Sequence, residues 1–222
     1  MLNDFVDHCV WAADLSTEQR ERVRRTLIVR EFAQGDYVSH KGEMAEHWLG
    51  VLDGLVKITT VSPSGKSVTF TGVPTGGWFG EGAVLKSEIR KYDVMALRRS
   101  RIAFMPKETF QWLLDTSLPF TRFLLTQLNE RLGQFIAAVE YVRLLDIDSR
   151  VARAVTSLFN AQLYPGIGGA LEISQEEIGL LAGISRQRAN QALKVLEQQG
   201  LVRVDYGVIE VLDLVGLRQY GE

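Results

Sequence analysis

The chain has 222 residues, room for one large domain or two small ones. Apolar residues make up 46 % and charged residues 23 %, which excludes a disordered or fibrous protein. With 25 basic and 27 acidic residues the net charge is −2, so contact with nucleic acid has to come from a local basic patch. The longest uncharged stretch, Ala154 to Leu171, carries Asn160, Gln162, Pro165 and three glycines and makes a poor membrane span. The opening MLNDFVDHCV lacks a basic start followed by an apolar block, so no secretory leader is expected. The single cysteine, Cys9, excludes an internal disulfide and a four-cysteine iron–sulfur site, and a cytoplasmic protein is expected.

Residues 16–25 read as a short charged helix capped by Ser16 or Thr17. From Leu27 to Met105 short β-rich runs alternate with turn signals: LIVREFA, HWLGVLD, LVKITTV, SVTFTGV, YDVMALR and SRIAFM. Strands at such intervals predict a small barrel, roll or sandwich. Pro106 opens a helix with Phe110, Leu113 and Leu114 on one side. Pro119 opens a longer one reaching about Leu145. In it Leu125, Leu128, Leu132, Phe135, Val139 and Val142 repeat at spacings of 3, 4, 3, 4 and 3, a heptad seam. Phe120, Phe123, Leu124 and Ile136 form a second apolar set. Two sets need two partners, its own barrel and a second copy of the helix, as in a parallel homodimer. A helix packed only on its own domain is the alternative. Asp146–Ser149 breaks this helix and caps the next, at a natural hinge.

The most specific block is SQEEIGLLAGISRQRANQALKVLEQQ, residues 174–199. Ser174 and Glu177 form a capping box, Gly183 supplies a tight turn and Ser185 caps a second helix. On that helix Ala189, Ala192, Leu193 and Leu196 share one face, and Arg186, Gln187, Asn190 and Gln191 another. Helix, glycine turn and second helix is the helix-turn-helix pattern. Arg can bridge guanine O6 and N7, and Asn or Gln adenine N6 and N7. Between Ser185 and Leu196 lie Arg186, Arg188 and Lys194 and no acidic residue. Ser174, Gln175 and Ser185 stand at helix starts, where hydroxyls and free amides can hold phosphate. The run LVRVDYGVIEVLD then predicts a hairpin wing turning at Asp205–Gly207, with Arg203 its only basic group.

The order β-roll, long helix, hinge and winged helix-turn-helix resembles the Crp/Fnr family of bacterial transcription regulators. The resemblance is carried by Ser185, Arg186, Leu193, Leu196, Gly200, Leu201 and Val202, by the hinge LDIDSRVARAV, and by Trp78-Phe79-Gly80-Glu81. It implies an α+β chain. An N-terminal double-stranded β-helix (jelly-roll or β-roll) sensor spans 1–117, a dimerisation helix 118–146 and a winged helix-turn-helix DNA-binding domain 147–222. It also implies a homodimer on a palindromic operator in double-stranded DNA and contact with RNA polymerase, for which Tyr164–Ala170 offers only loop composition. Gln187 and Gln191 stand where the family often has Glu and a second Arg, so the familiar half-site is not expected.

In family members that bind cyclic AMP, the Gly-Glu pair holds the ribose and a later Arg-[ST]-Ala triplet the cyclic phosphate. Here Gly80, Glu81 and Gly82 are present, but the later segment reads Arg90-Lys91-Tyr92-Asp93. Tyr92 and Asp93, or Lys91 and Tyr92 if the register shifts by one, replace the hydroxyl and the small alanine; Tyr92 fills the space a phosphate needs and Asp93 would repel it. Phe135 and Ile136 stand where the family offers hydroxyls to the base. Cyclic AMP is therefore disfavoured. An anion or aromatic acid meeting Arg90 and Lys91 is an alternative, as is no dissociable ligand. Haem would have to draw on His8, His40 or His47 and is not expected. No Ser-His-Asp order, H-E-x-x-H or Walker loop is present, so an enzyme is not expected. The competing function is a ligand-sensing module that signals by protein contact without DNA.

Overall fold

The computed structural model describes residues 6–65, 67–165 and 168–221, apart from the side chains of Val142 and Arg143. After a 3-10 turn at Val10–Ala12, helix α1 (Thr17–Thr26) starts at a capping box, Ser16 accepting from the Gln19 N–H while Gln19 accepts from that of Ser16. The strands follow as β1 (Ile28–Phe32), β2 (Tyr37–Ser39), β3 (His47–Asp53), β4 (Leu55–Val61), β5 (Ser67–Pro74) and β6 (Trp78–Phe79). A short helix α2 (Glu81–Lys86) precedes β7 (Asp93–Ala96) and β8 (Ser100–Pro106). They pair antiparallel in two four-stranded sheets, ordered β1-β8-β3-β6 and β2-β7-β4-β5. Val51, Val56, Ile58, Val73, Phe79 and Ile102 are buried in the roll's core. The two-residue β6 and three-residue β2 were not predicted: runs this short carry no readable alternation.

Helix α3 (Lys107–Thr116) leads into α4 (Leu118–Leu144), which Ser117 caps by accepting from the Phe120 N–H. At 27 residues α4 runs about 40 Å. Its first turns close an aromatic core in which Trp11, Trp48, Trp78, Phe110 and Phe120 meet edge to face or tilted. Beyond it the two expected apolar sets do not divide as the spacing suggested. Phe120 and Leu124 are buried and Phe123 packs beside them, but Ile136 stands 62 % exposed, away from the roll. That face continues at spacings of 3 and 4 through Gln127 and Arg131, so polar residues occupy the stripe where it crosses the roll.

Asp146 ends α4's extension and caps α5 (Ile147–Ser157) by accepting from the Ser149 N–H. The C-terminal part comprises β9 (Ala170–Glu172), α6 (Gln175–Ala182), α7 (Arg186–Gln198), the hairpin β10 (Val202–Asp205) and β11 (Val208–Val211), and α8 (Leu214–Gln219). The unpredicted β9 adds a third strand to the wing, in the order β10-β11-β9. The apolar core of this part includes Leu55 and Leu97 of the roll, so the two parts share packing. A Cβ at Gly72 on β5 would lie 2.9 Å from Leu158 and 3.3 Å from Leu181. Across the same joint Arg98 Nη2 donates to both carboxylate oxygens of Glu177, each at 2.9 Å, while Nη1 reaches Glu172 at 3.4 Å. Among the described residues no helix is long and apolar enough to cross a membrane.

Candidate functional site

The helix pair α6–α7 is positioned by short-range rules. Ser174 accepts from the Glu177 N–H, and the Glu177 carboxylate accepts from that of Ser174. Gly183 takes the left-handed conformation, φ +67°, that ends α6, and Ser185 caps α7 by accepting from the Arg188 N–H. Gly179 lets the two helices close, since a Cβ there would lie 3.0 Å from the Ile184 carbonyl oxygen. Ala189, Ala192, Leu193 and Leu196 are buried. Ser185, Arg186, Gln187, Arg188, Gln191 and Lys194 are exposed and Asn190 half-buried. Among the described residues the side chains of Arg186, Arg188 and Lys194 make no ion pair or hydrogen bond. Ser174 and Gln175 are half-buried at the start of α6. In the wing, Arg203 is engaged with Glu210 at 2.7 Å, so its charge is partly spent. Tyr206, fully exposed at the wing tip, was not singled out from the sequence.

The second candidate lies where α4 crosses the roll. Glu81 is 2 % exposed and pairs with Arg131 Nε at 3.0 Å. Arg131 Nη2 and Gln127 Nε2 both donate to the Trp78 carbonyl, at 2.8 and 2.7 Å. Burial opposes the charge on Arg131, but the Glu81 carboxylate outweighs it and holds the guanidinium above its usual pKa. Arg90 is buried and donates through Nη2 to the His47 carbonyl at 2.8 Å, and burial lowers its pKa. Glu81 Oε2, Arg90 Nη1 and Arg131 Nη1 are buried without a hydrogen-bond partner among the described residues. The Tyr92 phenol senses these three charges; burial first, then Glu81, raise its pKa. Gly80, the left-handed cap of α2, approaches Arg90, a Cβ there lying 2.9 Å from Nη1. Gly82 has open space at its Cβ position.

The other expected members of this pocket do not join it. Lys91 points outward, 70 % exposed, to Glu88. Asp93 accepts from the Lys41 N–H at 2.9 Å. Phe135 lines a different cleft, against Val68–Thr71 of β5, and Ile136 is exposed. The resemblance placed 135 and 136 near the pocket, and within this chain Gln127 and Arg131 meet Trp78 and Glu81 instead. Their signal was present: two long polar side chains continuing the stripe begun by Phe120 and Leu124. Of the seam residues, Leu125, Leu132 and Val139 are more than half exposed, Phe135 is 37 % exposed, and Leu128 leans on the aromatic core. The side chain of Val142 lies outside the described residues. Tyr164 is not surface: it is buried and its hydroxyl donates to the Gly72 carbonyl at 3.1 Å, and Gly166 and Ile167 lie outside the described residues.

Residues 29–117 match the family model for the cyclic nucleotide-binding domain, and residues 149–220 that for the Crp-like helix-turn-helix domain. The chain belongs to the Crp/Fnr family. It is 27 % identical over 205 residues to the transcriptional regulator SdrP of Thermus thermophilus, covering 90 % of this chain and 96 % of SdrP. It is 26 % identical over 178 residues to the cAMP-activated global transcriptional regulator CRP of Pasteurella multocida, covering 78 % and 85 %. The structure of FixK2 from Bradyrhizobium japonicum shares the fold, with a TM-score of 0.71, 17 % identity and coverage of 87 % and 96 %. As a Crp/Fnr protein the chain is a DNA-binding transcription regulator and not an enzyme.

Proposed function

We propose that this Crp/Fnr regulator works in the cytoplasm as a homodimer. Paired α4 helices would place two copies of α7 about 34 Å apart, in successive major grooves of a palindromic operator. The observation that carries this reading is the polar face of α7, whose three basic side chains have no partner among the described residues. The exposed seam Leu125, Leu132, Phe135 and Val139 supports the pairing, since water is a poor neighbour for a contiguous apolar stripe. Arg186 reads a guanine; Gln187, Asn190 or Gln191 reads an adenine. Ser174, Gln175, Ser185, Arg188 and Lys194 hold backbone phosphates. Contact with RNA polymerase would use exposed residues such as Gly168–Ala170.

Activity is set where α4 meets the roll. The residues there do not fit a cyclic nucleotide, because Arg131 already holds the carboxylate that would take the ribose, and Tyr92 and Asp93 replace the phosphate-binding pair. The orphaned Arg90 Nη1 and Arg131 Nη1 suit a small anion, and Glu81 Oε2 suits a hydroxyl on it. Selection of bound sites from random DNA at stated salt, with light scattering on the free protein, tests the whole reading. A palindrome and a dimer are expected. A monomer at every concentration, or no bound DNA at any salt, overturns it in favour of a sensing module that acts through protein contact. Cyclic AMP at millimolar concentration is expected to leave the melting temperature unchanged.

A further inference from the structure

A cavity of about 330 Å³ lies one turn of α4 away from the Glu81–Arg131 pair. Neither the Glu81 pocket nor α7 accounts for it. Its walls come from four separate parts of the chain: Trp11, Trp78, Phe123 and Gln127 on the roll side, Leu163 and Pro165 on the side of the winged domain. Protein interiors seldom leave voids larger than a water. This one is about twice the ~150 Å³ that accepts benzene in an engineered core, and it reaches the ~300 Å³ at which ligand sites begin.

The walls are held apart. Trp11 stands edge-on to Trp78 at 5.2 Å and to Phe120 at 5.8 Å. The opposite wall is tied to the roll by the Tyr164–Gly72 hydrogen bond and by the Pro165 carbonyl, which would lie 2.5 Å from a Cβ on Gly76. No Asp, Glu, Lys or Arg lines the space, and burial pushes the thiol of Cys9, which does line it, up to about 12. Gln127 spends its amide nitrogen on the Trp78 carbonyl, and its side-chain oxygen has no hydrogen-bond partner among the described residues. The space opens to water where His8, Val10 and Thr75 are exposed, and inside it is walled mainly by Trp11, Trp78, Phe123 and Leu163 with the Gln127 side-chain oxygen as an acceptor, a lining that selects a flat apolar body with one donor.

We propose that this cavity is a binding site, separate from the Glu81 pocket, for a neutral bicyclic aromatic molecule carrying one hydroxyl. The molecule touches the roll, α4 and the winged domain at once, and so stabilises their present arrangement over any other. The site goes beyond the DNA-binding reading and does not depend on it.

Calorimetry of the full-length protein with 2-naphthol tests the site. One equivalent per chain is expected, with a dissociation constant below about 1 mM. The donor-less 2-methoxynaphthalene is expected to bind about two- to tenfold more weakly. Leu163→Phe and Val10→Trp fill the cavity from opposite walls, and each lowers 2-naphthol affinity at least about tenfold. Val10 is half exposed, so Val10→Trp keeps the test open if Leu163→Phe fails to fold. No saturable heat with the wild-type chain, or unchanged affinity in a folded variant of either kind, overturns the site. Equal affinity for the two naphthalenes overturns the hydroxyl.

Discussion

Two groups of charges in this molecule are handled in opposite ways. On α7, Arg186, Arg188 and Lys194 are exposed to water with no partner among the described residues. Under α4, Glu81 and Arg131 are almost wholly withdrawn from water and pair with each other through one oxygen and one nitrogen. Exposed cations lose little by waiting, because solvent keeps them hydrated until a phosphate or a base edge replaces it. A buried carboxylate cannot wait. Without a partner it would lose its charge or unfold its surroundings. The first arrangement is open to an outside partner, while in the second the chain has become its own ligand. A Crp/Fnr roll can therefore keep the Gly80-Glu81 pair and yet turn it to internal use.

If that contrast is right, removing one partner hurts most where the pair is buried. Arg131→Met leaves Glu81 buried and uncompensated, and urea unfolding is expected to show a loss of about 3–5 kcal/mol. Arg131→Met combined with Glu81→Leu is expected to recover most of it, since a matched apolar pair removes the stranded charge. A single variant as stable as the wild type would show that water reaches this pair. On α7 the expected pattern is reversed. Arg186→Ala leaves stability within about 0.5 kcal/mol but weakens specific DNA binding by about 1–3 kcal/mol and relaxes the preference at one base pair. Lys194→Ala lowers affinity evenly across sequences and reduces the salt slope by about one, read from mobility shifts at several salt concentrations.

The joint between the two parts lies between these extremes. Arg98 is 23 % exposed, Glu177 only 8 %. Arg98→Ala is expected to cost about 1–2 kcal/mol, less than the fully buried pair because water can replace part of the contact. Amide exchange in α6 should quicken if Arg98 clamps the winged domain, and stay as it is if packing by Leu158 and Leu181 suffices. The smallest effect is expected at Asp146. The Ser149 N–H holds the Asp146 carboxyl below its usual pKa of 3.8, so the cap's contribution is present above that value and is lost as pH falls through the folded one. Asp146→Ala costs about 1 kcal/mol near neutrality. Asp146→Asn keeps an acceptor and removes the acid-dependent part, which thermal melts between pH 3 and 5 would show.

Wherever neighbours in the chain decide the structure, it could be read from residues alone. The cap at Ser16, read as Ser16 or Thr17, the capping box at Ser174, the turn at Gly183, the break at Asp146 and the hairpin around Gly207 are all local, because cap and turn energies depend on residues a few positions apart. The buried face of α7 follows from its 3.6-residue period, and so does the identity of the side chains left exposed. The composition of the helix-turn-helix was therefore legible to the residue. The roll's strands were legible where they are long. The Glu81 partner was not: periodicity marks a face of α4 but not which turn of it crosses Trp78, and the resemblance pointed to Phe135 and Ile136 rather than to Gln127 and Arg131. Nor could spacing reveal that Arg98 reaches Glu177, 79 residues away. Tyr164 likewise reads as a loop residue and is a buried strut. Contacts between distant segments depend on helix rotation and on how two domains settle against each other, and those are set by the packing of whole surfaces, which no short window of residues contains.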